Sequence, residues 1–376
     1  MKKLISKILY KTLPVIQKFT EKDTIILMDF DDGAELIDCL SMFEWLQEHN
    51  IKSRYLVGKK CPQAKELKAK YGKNVIVFEK YKNIIFKIFG MLAKTKYFLT
   101  SFGAQDKYLA QFLRDNKYID YIFMQHGVVF TTLRAFQSHH QNVYDKILVS
   151  SSQEAELWTK YCNIDKKDLI KVGLPRWDLL NNLPKSKEKS IFLFPTWRMT
   201  FREKNFKDSQ YYKSLVSLSN NKELNKILKD NSIKLYYGMH HVLKNNSLSD
   251  FKLDNVEIVD MLKVSDYIKK CDLLITDYSS IWVDFAFQNK PVLFYLMDYQ
   301  DKYLNELDIQ SSGTAYTQLD KLFNKCTTEQ EVVNMIKLYI KRNFDLESTK
   351  KDILNDFFYC RKDIRNTIYG FLKKEW

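Results

Sequence analysis

Two doubly wound α/β halves are the architecture this sequence predicts, and three observations predict it. Short apolar runs alternate with helical patterns along most of the chain, which implies a mostly parallel sheet covered on both faces. The 376 residues exceed what one ordinary core accommodates, so two domains are the default. The lysine-rich stretch from Asn181 to Lys189, with Pro184 inside it, breaks the alternation, and a second alternating set follows. The boundaries drawn from these breaks are a basic helix over 1–20, a first domain over 21–182, a second over 188–345 and a helical tail over 346–376.

The first segment, MKKLISKILYKTLPVIQKF, carries Lys2, Lys3, Lys7, Lys11 and Lys18 and no acidic residue. Leu4, Ile5, Ile8 and Leu9 recur at helical spacing. The pattern fits a basic amphipathic helix on an anionic leaflet, or a surface helix packed on its own domain. Lysines interrupt the apolar stretch and no small-residue cleavage site follows, so it does not read as a signal peptide; it is also too short and charged to span a bilayer.

Thr24 to Asp29 is a buried-strand candidate, followed by Asp31-Asp32-Gly33 and a helical pattern from Ala34 to His49. The aspartates invite comparison with the haloacid-dehalogenase nucleophile motif and with the metal-binding Asp-x-Asp of some glycosyltransferases. Gly33 stands where the first motif has Thr or Val, and the first βα turn of a doubly wound domain is the preferred reading. Further strands are expected at Ser53–Val57, Val75–Phe78, Lys96–Thr100, Tyr121–Gln125 and Lys146–Ser150, with helices around Gln105–Asp115 and Ser152–Tyr161. The second set comprises Ser190–Phe194, Ile233–Tyr237, Val256–Ile258, Leu273–Thr276 and Val292–Tyr295, and from Thr328 the chain reads as helical and basic.

Hydrophobic residues make up 45% and aromatics 14%, a globular composition. The formal charge of +14 and pI near 9.2 call for an anionic partner: nucleic acid, a phospholipid surface or a polyphosphate substrate. There is no aromatic-interleaved basic repeat or recognition-helix signature, so nucleic acid is not the expected partner. With ten glycines and no Walker or Rossmann glycine fingerprint, phosphate must be held by other turns. The six scattered cysteines form no C-x-x-C pair and none lies near a histidine at ligand spacing; free thiols in a reducing cytosol are expected.

Those other turns stand at strand ends. Thr276-Asp277-Tyr278-Ser279-Ser280 joins an apolar strand to an aromatic-rich helix from Ile281, and a strand-to-helix turn with two hydroxyls and a carboxylate suits pyrophosphate. His126 and Gly127 follow the strand ending at Gln125, the edge where open α/β sheets bind ligands, and a neutral imidazole there can take a proton from a hydroxyl. His240 and His241 repeat the arrangement in the second half, and a cationic imidazole there could stabilise phosphate oxygens. His139 and His140 read as surface residues. Thr196 and Arg198 follow the strand from Ser190 and supply a hydroxyl and a guanidinium.

In order along the chain, QHG at Gln125–Gly127, GLPRWD at Gly173–Asp178, PTWR at Pro195–Arg198, MHH at Met239–His241, TDYSSIWVDF from Thr276 and KPVLFYLMDYQDKY from Lys290 resemble the CDP-glycerol glycerophosphotransferase family of teichoic acid and capsule-type polymer synthesis. The resemblance covers residues 120–305 and implies a GT-B-like fold: two Rossmann-like domains facing a cleft, with a C-terminal helix packing back toward the first. It further implies a metal-independent peripheral enzyme at the cytoplasmic face of the cell membrane. Such an enzyme moves glycerol or ribitol phosphate from CDP-glycerol or CDP-ribitol to a hydroxyl of a lipid-linked glycan and releases CMP.

Carried over by motif, His126 is the general base and His240 neutralises the pyrophosphate, with His241 the alternative. Gly127, Thr196, Arg198, Thr276, Ser279 and Ser280 hold the donor phosphates, and Asp277 and Asp284 order that turn. Arg176 and Asp178 of GLPRWD join the candidates. The family's Lys-apolar pair before the second histidine is replaced by Gly238-Met239, and Phe130-Thr131-Thr132 stand where a lysine often follows the first. The rivals are a GT-B glycosyltransferase using a nucleotide sugar, and a basic membrane- or nucleic-acid-binding module without catalysis.

Overall fold

The computed structural model describes residues 2–29, 37–79, 84–102, 107–128, 143–162, 164–181, 188–196, 206–238, 250–251, 256–298 and 322–374. They fall into two compact units. The described residues up to Leu179, with 358–374, form the first; Leu180–Phe357 form the second.

The first unit opens with α1 (Lys2–Lys18) and continues β1 (Thr24–Met28), α2 (Asp38–Glu48), β2 (Ser53–Gly58), α3 (Ala64–Tyr71), β3 (Val75–Phe78), α4 (Ile84–Leu92), β4 (Thr95–Thr100), α5 (Lys107–Asp115), β5 (Asp120–Phe123), β6 (Lys146–Val149), α6 (Ser152–Cys162) and β7 (Leu169–Lys171). The sheet order is β3-β2-β1-β4-β5-β6-β7 and every pairing is parallel. A central parallel strand has helices on both faces, which is why all five residues of β1 are apolar or capped by Thr24 and all are buried.

One face of α1 docks on this unit. Leu13 is fully buried, Gln17 Nε2 donates to the Leu92 carbonyl (2.9 Å) and Gln17 Oε1 accepts from Asn116 Nδ2 (2.7 Å). On the remaining surface Ile8, Val15 and the following Phe19 are 52%, 64% and 81% exposed. The segment thus packs on its own domain and still presents apolar side chains among lysines. No described helix is long and apolar enough to cross a membrane.

The second unit runs β8 (Ser190–Phe194), α7 (Gln210–Asn220), α8 (Lys222–Asp230), β9 (Lys234–Tyr237), β10 (Val256–Ile258), α9 (Val264–Lys270), β11 (Leu273–Thr276), α10 (Trp282–Phe287), β12 (Val292–Tyr295), β13 (Asn324–Cys326), α11 (Glu329–Lys341) and α12 (Ser348–Phe357). Its order, β10-β9-β8-β11-β12-β13, is again all parallel; counted from β8 it is 3-2-1-4-5-6, the dinucleotide-binding order. Leu193, Tyr237, Ile275 and Leu293 pack with Leu215 of α7 and Val332 and Ile336 of α11. Side-chain caps fix the helix starts: Ser209 for α7, Asn221 for α8, and a Thr328–Glu331 capping box for α11. The last helix, α13 (Ile364–Lys374), belongs to the first unit and buries Ile364, Ile368 and Leu372.

Every strand expected from the sequence is present. Two boundaries moved for physical reasons: β5 stops at Phe123 because Gln125 adopts φ +64°, and α2 starts at Asp38, where the helical hydrogen bonds begin. The edge strands β7 and β13, three residues each, carried no readable run. All six cysteines are free thiols, five of them buried. Asp31, Asp32, His139, His140, Arg198, His240 and His241 lie outside the described residues.

Candidate active site

In a doubly wound sheet the crossovers on either side of the first strand leave in opposite directions, which opens a crevice at the carboxyl ends of the strands there. In the first unit this point lies between β1 and β4, whose ends carry Asp29 and Ser101. Asp29 is buried and saturated with donors. Its Oδ1 accepts from the Ser101 hydroxyl and, at 3.4 Å, from the Cys39 N–H; its Oδ2 accepts from the Leu40 N–H (3.0 Å) and the Tyr55 hydroxyl (2.8 Å). Burial pushes the Asp29 carboxyl above its usual range, and these donors partly pull it back. The carboxylate ties the start of α2 to the ends of β1, β2 and β4.

His126 stands beside this knot, three residues past the end of β5 at Phe123. The preceding Gln125 is held in its left-handed conformation by its side chain: Nε2 donates to the Leu148 carbonyl (2.5 Å) and to Glu154 Oε1 (2.7 Å). Glu154, fully buried, accepts with its other oxygen from the Ser150 N–H (2.6 Å) and hydroxyl (2.7 Å). The His126 ring is exposed, stacks on Phe102 with centroids 4.0 Å apart and planes 12° from parallel, and places Nδ1 3.3 Å from the Ser101 carbonyl. A carbonyl can only accept, so Nδ1 carries the proton and Nε2 is the basic nitrogen. Gly127, next in the chain, is buried.

The GLPRWD stretch forms a strut behind His126. Gly173 has φ +130°, and a Cβ there would meet the Trp177 ring at 2.9 Å, so the turn requires glycine. Arg176 turns inward to a buried ion pair with Asp38 of α2, side chains 8% and 2% exposed, and its guanidinium also donates to the His126 carbonyl at 3.4 Å. Asp178 points elsewhere. Its oxygens accept from the N–H groups of Ile364 and Arg365, both 2.9 Å, and from Arg365 Nε at 3.2 Å, capping α13.

In the second unit the corresponding point lies between β8 and β11. Asp277, fully buried, joins the two strand ends: its Oδ1 accepts from the Thr196 N–H (2.7 Å) and the Tyr278 N–H (2.6 Å). The Thr276 hydroxyl donates to the Phe194 carbonyl (2.5 Å), and the Tyr211 hydroxyl to the Thr196 carbonyl (3.0 Å). Asp277 also helps burial raise the Tyr237 hydroxyl far above its usual pKa. Ser279 and Ser280 are half-buried; Ser279 Oγ accepts from the Ile281 N–H at 3.5 Å, and the N–H groups of both serines donate to nothing among the described residues. The helix behind them, α10, has only six residues, and Val283 and Asp284 already donate to Ser280 and Ile281, so the donors offered at this turn are those of the two serines. The Asp284 side chain is buried inside the unit. Gly238, after β9, packs under Phe194: a Cβ would come within 2.3 Å of that ring.

Thus Thr196, Thr276, Asp277, Ser279 and Ser280 are assembled at one switch point, and His126 stands at the carboxyl edge of the other sheet. The sequence did not reveal Ser101, Phe102, Asp38 or Glu154, the partners that aim His126. They come from three separate places, the end of β4, the start of α2 and α6, and share no spacing that would mark them. Lys290 was also unread: its ammonium bridges the Ile268 (3.1 Å) and Lys269 (2.6 Å) carbonyls at the end of α9, a structural use of the Lys-Pro pair.

A family model described as CDP-glycerol:poly(glycerophosphate) glycerophosphotransferase matches residues 10–367. The chain is 29% identical over 282 residues to the minor teichoic acid biosynthesis protein GgaB of Bacillus subtilis, covering 69% of this chain and 29% of that protein. It is 30% identical over 183 residues to a teichoic acid glycerol-phosphate primase of the same organism, covering 46% and 45%. The chain therefore spans less than half the length of these curated relatives. The solved structure of the wall teichoic acid polymerase TagF superposes over 100% of this chain and 95% of that one, with a TM-score of 0.70 at 18% identity, which establishes the GT-B-like two-sheet fold.

Proposed function

The chain belongs to the CDP-glycerol:poly(glycerophosphate) glycerophosphotransferase family, and from that premise we propose that it moves a polyol phosphate, glycerol or ribitol phosphate, from a CDP-activated donor to a hydroxyl of a lipid-linked or polymer acceptor. The acceptor oxygen attacks the β-phosphorus of the donor, and the new P–O bond forms as the bond to the oxygen of the departing CMP breaks. The electron pair leaves with CMP, and the acceptor proton passes to His126 Nε2. The observation that carries the reading is the 3.3 Å contact of His126 Nδ1 with the Ser101 carbonyl: an acceptor there calls for a protonated Nδ1 and leaves Nε2, on the far side of an exposed ring, as the base.

The second unit supplies the donor side. In this proposal the serine N–H groups and hydroxyls of Ser279 and Ser280, on the corner that Asp277 closes with Thr196 and Thr276, take the diphosphate. Arg198 and either His240 or His241 neutralise the charge that develops on it. Phosphoryl transfer rests on positioning and charge neutralisation, which these groups can provide without a metal ion. The exposed apolar residues of α1, set among lysines, would hold the enzyme at an anionic membrane surface, where a lipid-linked acceptor is found; the proposal places it on the cytoplasmic face.

The test is incubation with CDP-glycerol, CDP-ribitol and UDP-sugars in the presence of acceptor and EDTA, reading CMP or UDP release. CMP release from a CDP-polyol, unaffected by EDTA and reduced ~10²–10⁴-fold in His126→Ala, is the expected result. Release of UDP alone, or full CMP release by His126→Ala, would refute the assignment.

A further inference from the structure

The buried ion pair behind His126 has a use beyond stability. We propose that Arg176, held by Asp38, is a positioning residue for His126: its guanidinium fixes the carbonyl of His126 and with it the direction in which the imidazole is presented. The inference rests on His126 being the base proposed above.

Three features of the first unit lead there. The peptide carrying His126 follows a non-glycine residue at φ +64°, a conformation that persists only where the surroundings over-determine it. The Gln125 side chain supplies one restraint, through Leu148 and Glu154, and the Ser101 carbonyl and Phe102 ring supply a second, on the imidazole. Neither touches the peptide plane on the carboxyl side of His126. Arg176 does, at 3.4 Å, and its own position is set by Asp38, which also accepts from the Arg176 N–H (3.4 Å). The strut that presents it is fixed at both ends, by the Gly173 turn and by Asp178 on α13.

The alternative, that Arg176 grips the donor's phosphates, conflicts with its surroundings. Its side chain is 8% exposed and its charge is already met by a carboxylate that is 2% exposed, so an incoming phosphate would have to displace a buried partner. A guanidinium in that state holds protein in place.

The experiment compares His126→Ala, Arg176→Lys and the paired variant Asp38→Leu/Arg176→Met, in which no charge is left buried alone. Each is measured for melting temperature, kcat, and KM for the CDP-polyol that supports turnover. A loosened imidazole costs turnover without touching donor binding, so kcat should fall ~10²-fold in the paired variant, with KM within about threefold of the native value. Arg176→Lys keeps the ion pair but has one amine for two acceptors; it should fall between native and paired variant, and it answers the question if the paired variant does not fold. Native kcat in a folded Arg176 variant overturns the proposal, as does a KM increase with kcat unchanged. Those outcomes leave the base assignment standing if His126→Ala is inactive. An active His126→Ala overturns both.

Discussion

Asp178 lies in a motif that the family resemblance offers as a candidate for binding, yet its geometry predicts a different phenotype. Replacing it with alanine removes the acceptor for three donors: the N–H groups of Ile364 and Arg365 at 2.9 Å and Arg365 Nε at 3.2 Å. Loss of a helix cap of this kind costs about 1–2 kcal/mol. The carboxylate is 11% exposed and the Arg365 side chain 17%, so the stranded guanidinium adds about another 1 kcal/mol. The sum of about 2–3 kcal/mol lowers the melting temperature of a unit this size by roughly 5–10 °C. Asp178→Asn keeps one acceptor oxygen and should recover about half of that. Differential scanning calorimetry, with steady-state kinetics on the same samples, decides the matter. Alanine should lower the first unit's transition and leave donor KM unchanged at assay temperatures well below it. An unshifted transition with a raised KM would show that Asp178 meets substrate and that the capping argument is wrong.

Two further predictions concern charge. Burial lowers the Lys290 pKa to about 8, so between that value and the ordinary 10.5 the unfolded chain binds more protons than the folded one. Stability should therefore rise with pH across that window, by up to ~1.4 kcal/mol per unit. Urea titrations at pH 7.5, 8.5 and 9.5 should show native protein gaining on Lys290→Met; a constant gap would sink the argument. On α1, Val15→Asp with Phe19→Asp should leave the fold intact, because both side chains face solvent, and should weaken sedimentation with anionic phosphatidylglycerol vesicles at least tenfold. Unchanged sedimentation would detach the helix from any membrane role.

The architecture was legible because buried parallel strands have to be apolar throughout: TIILM, SIFLF and LLIT announce themselves without alignment or structure. The edge strand Asn324–Cys326 is covered less, carries polar residues and leaves no signature. At the candidate site, strand ends were readable because Asp, Thr and Ser cluster where a ladder stops; Asp277 bridging Thr196 and Tyr278 is the structural reason for the TDY sequence. What supports His126 was not. Ser101, Asp38 and Glu154 lie 25, 88 and 28 positions away by subtraction of their numbers, and only the folded sheet edge gathers them. Arg176 shows another limit: its motif makes it a candidate site residue, and only the fold shows its guanidinium paired with the buried Asp38 carboxylate.

Residues 358–374 complete the first unit although all of the second precedes them in the chain. Trp45 meets Tyr369 with ring centroids 5.8 Å apart, Trp177 meets Phe358 at 5.2 Å, and the Tyr97 hydroxyl donates to the Leu372 carbonyl. During synthesis, then, the first unit must wait for residues 358–374 to leave the ribosome before it is whole, while the second unit, 180–357, is synthesised before them. A chain cut ahead of Phe358 would strand two tryptophans, Trp45 and Trp177, without these partners.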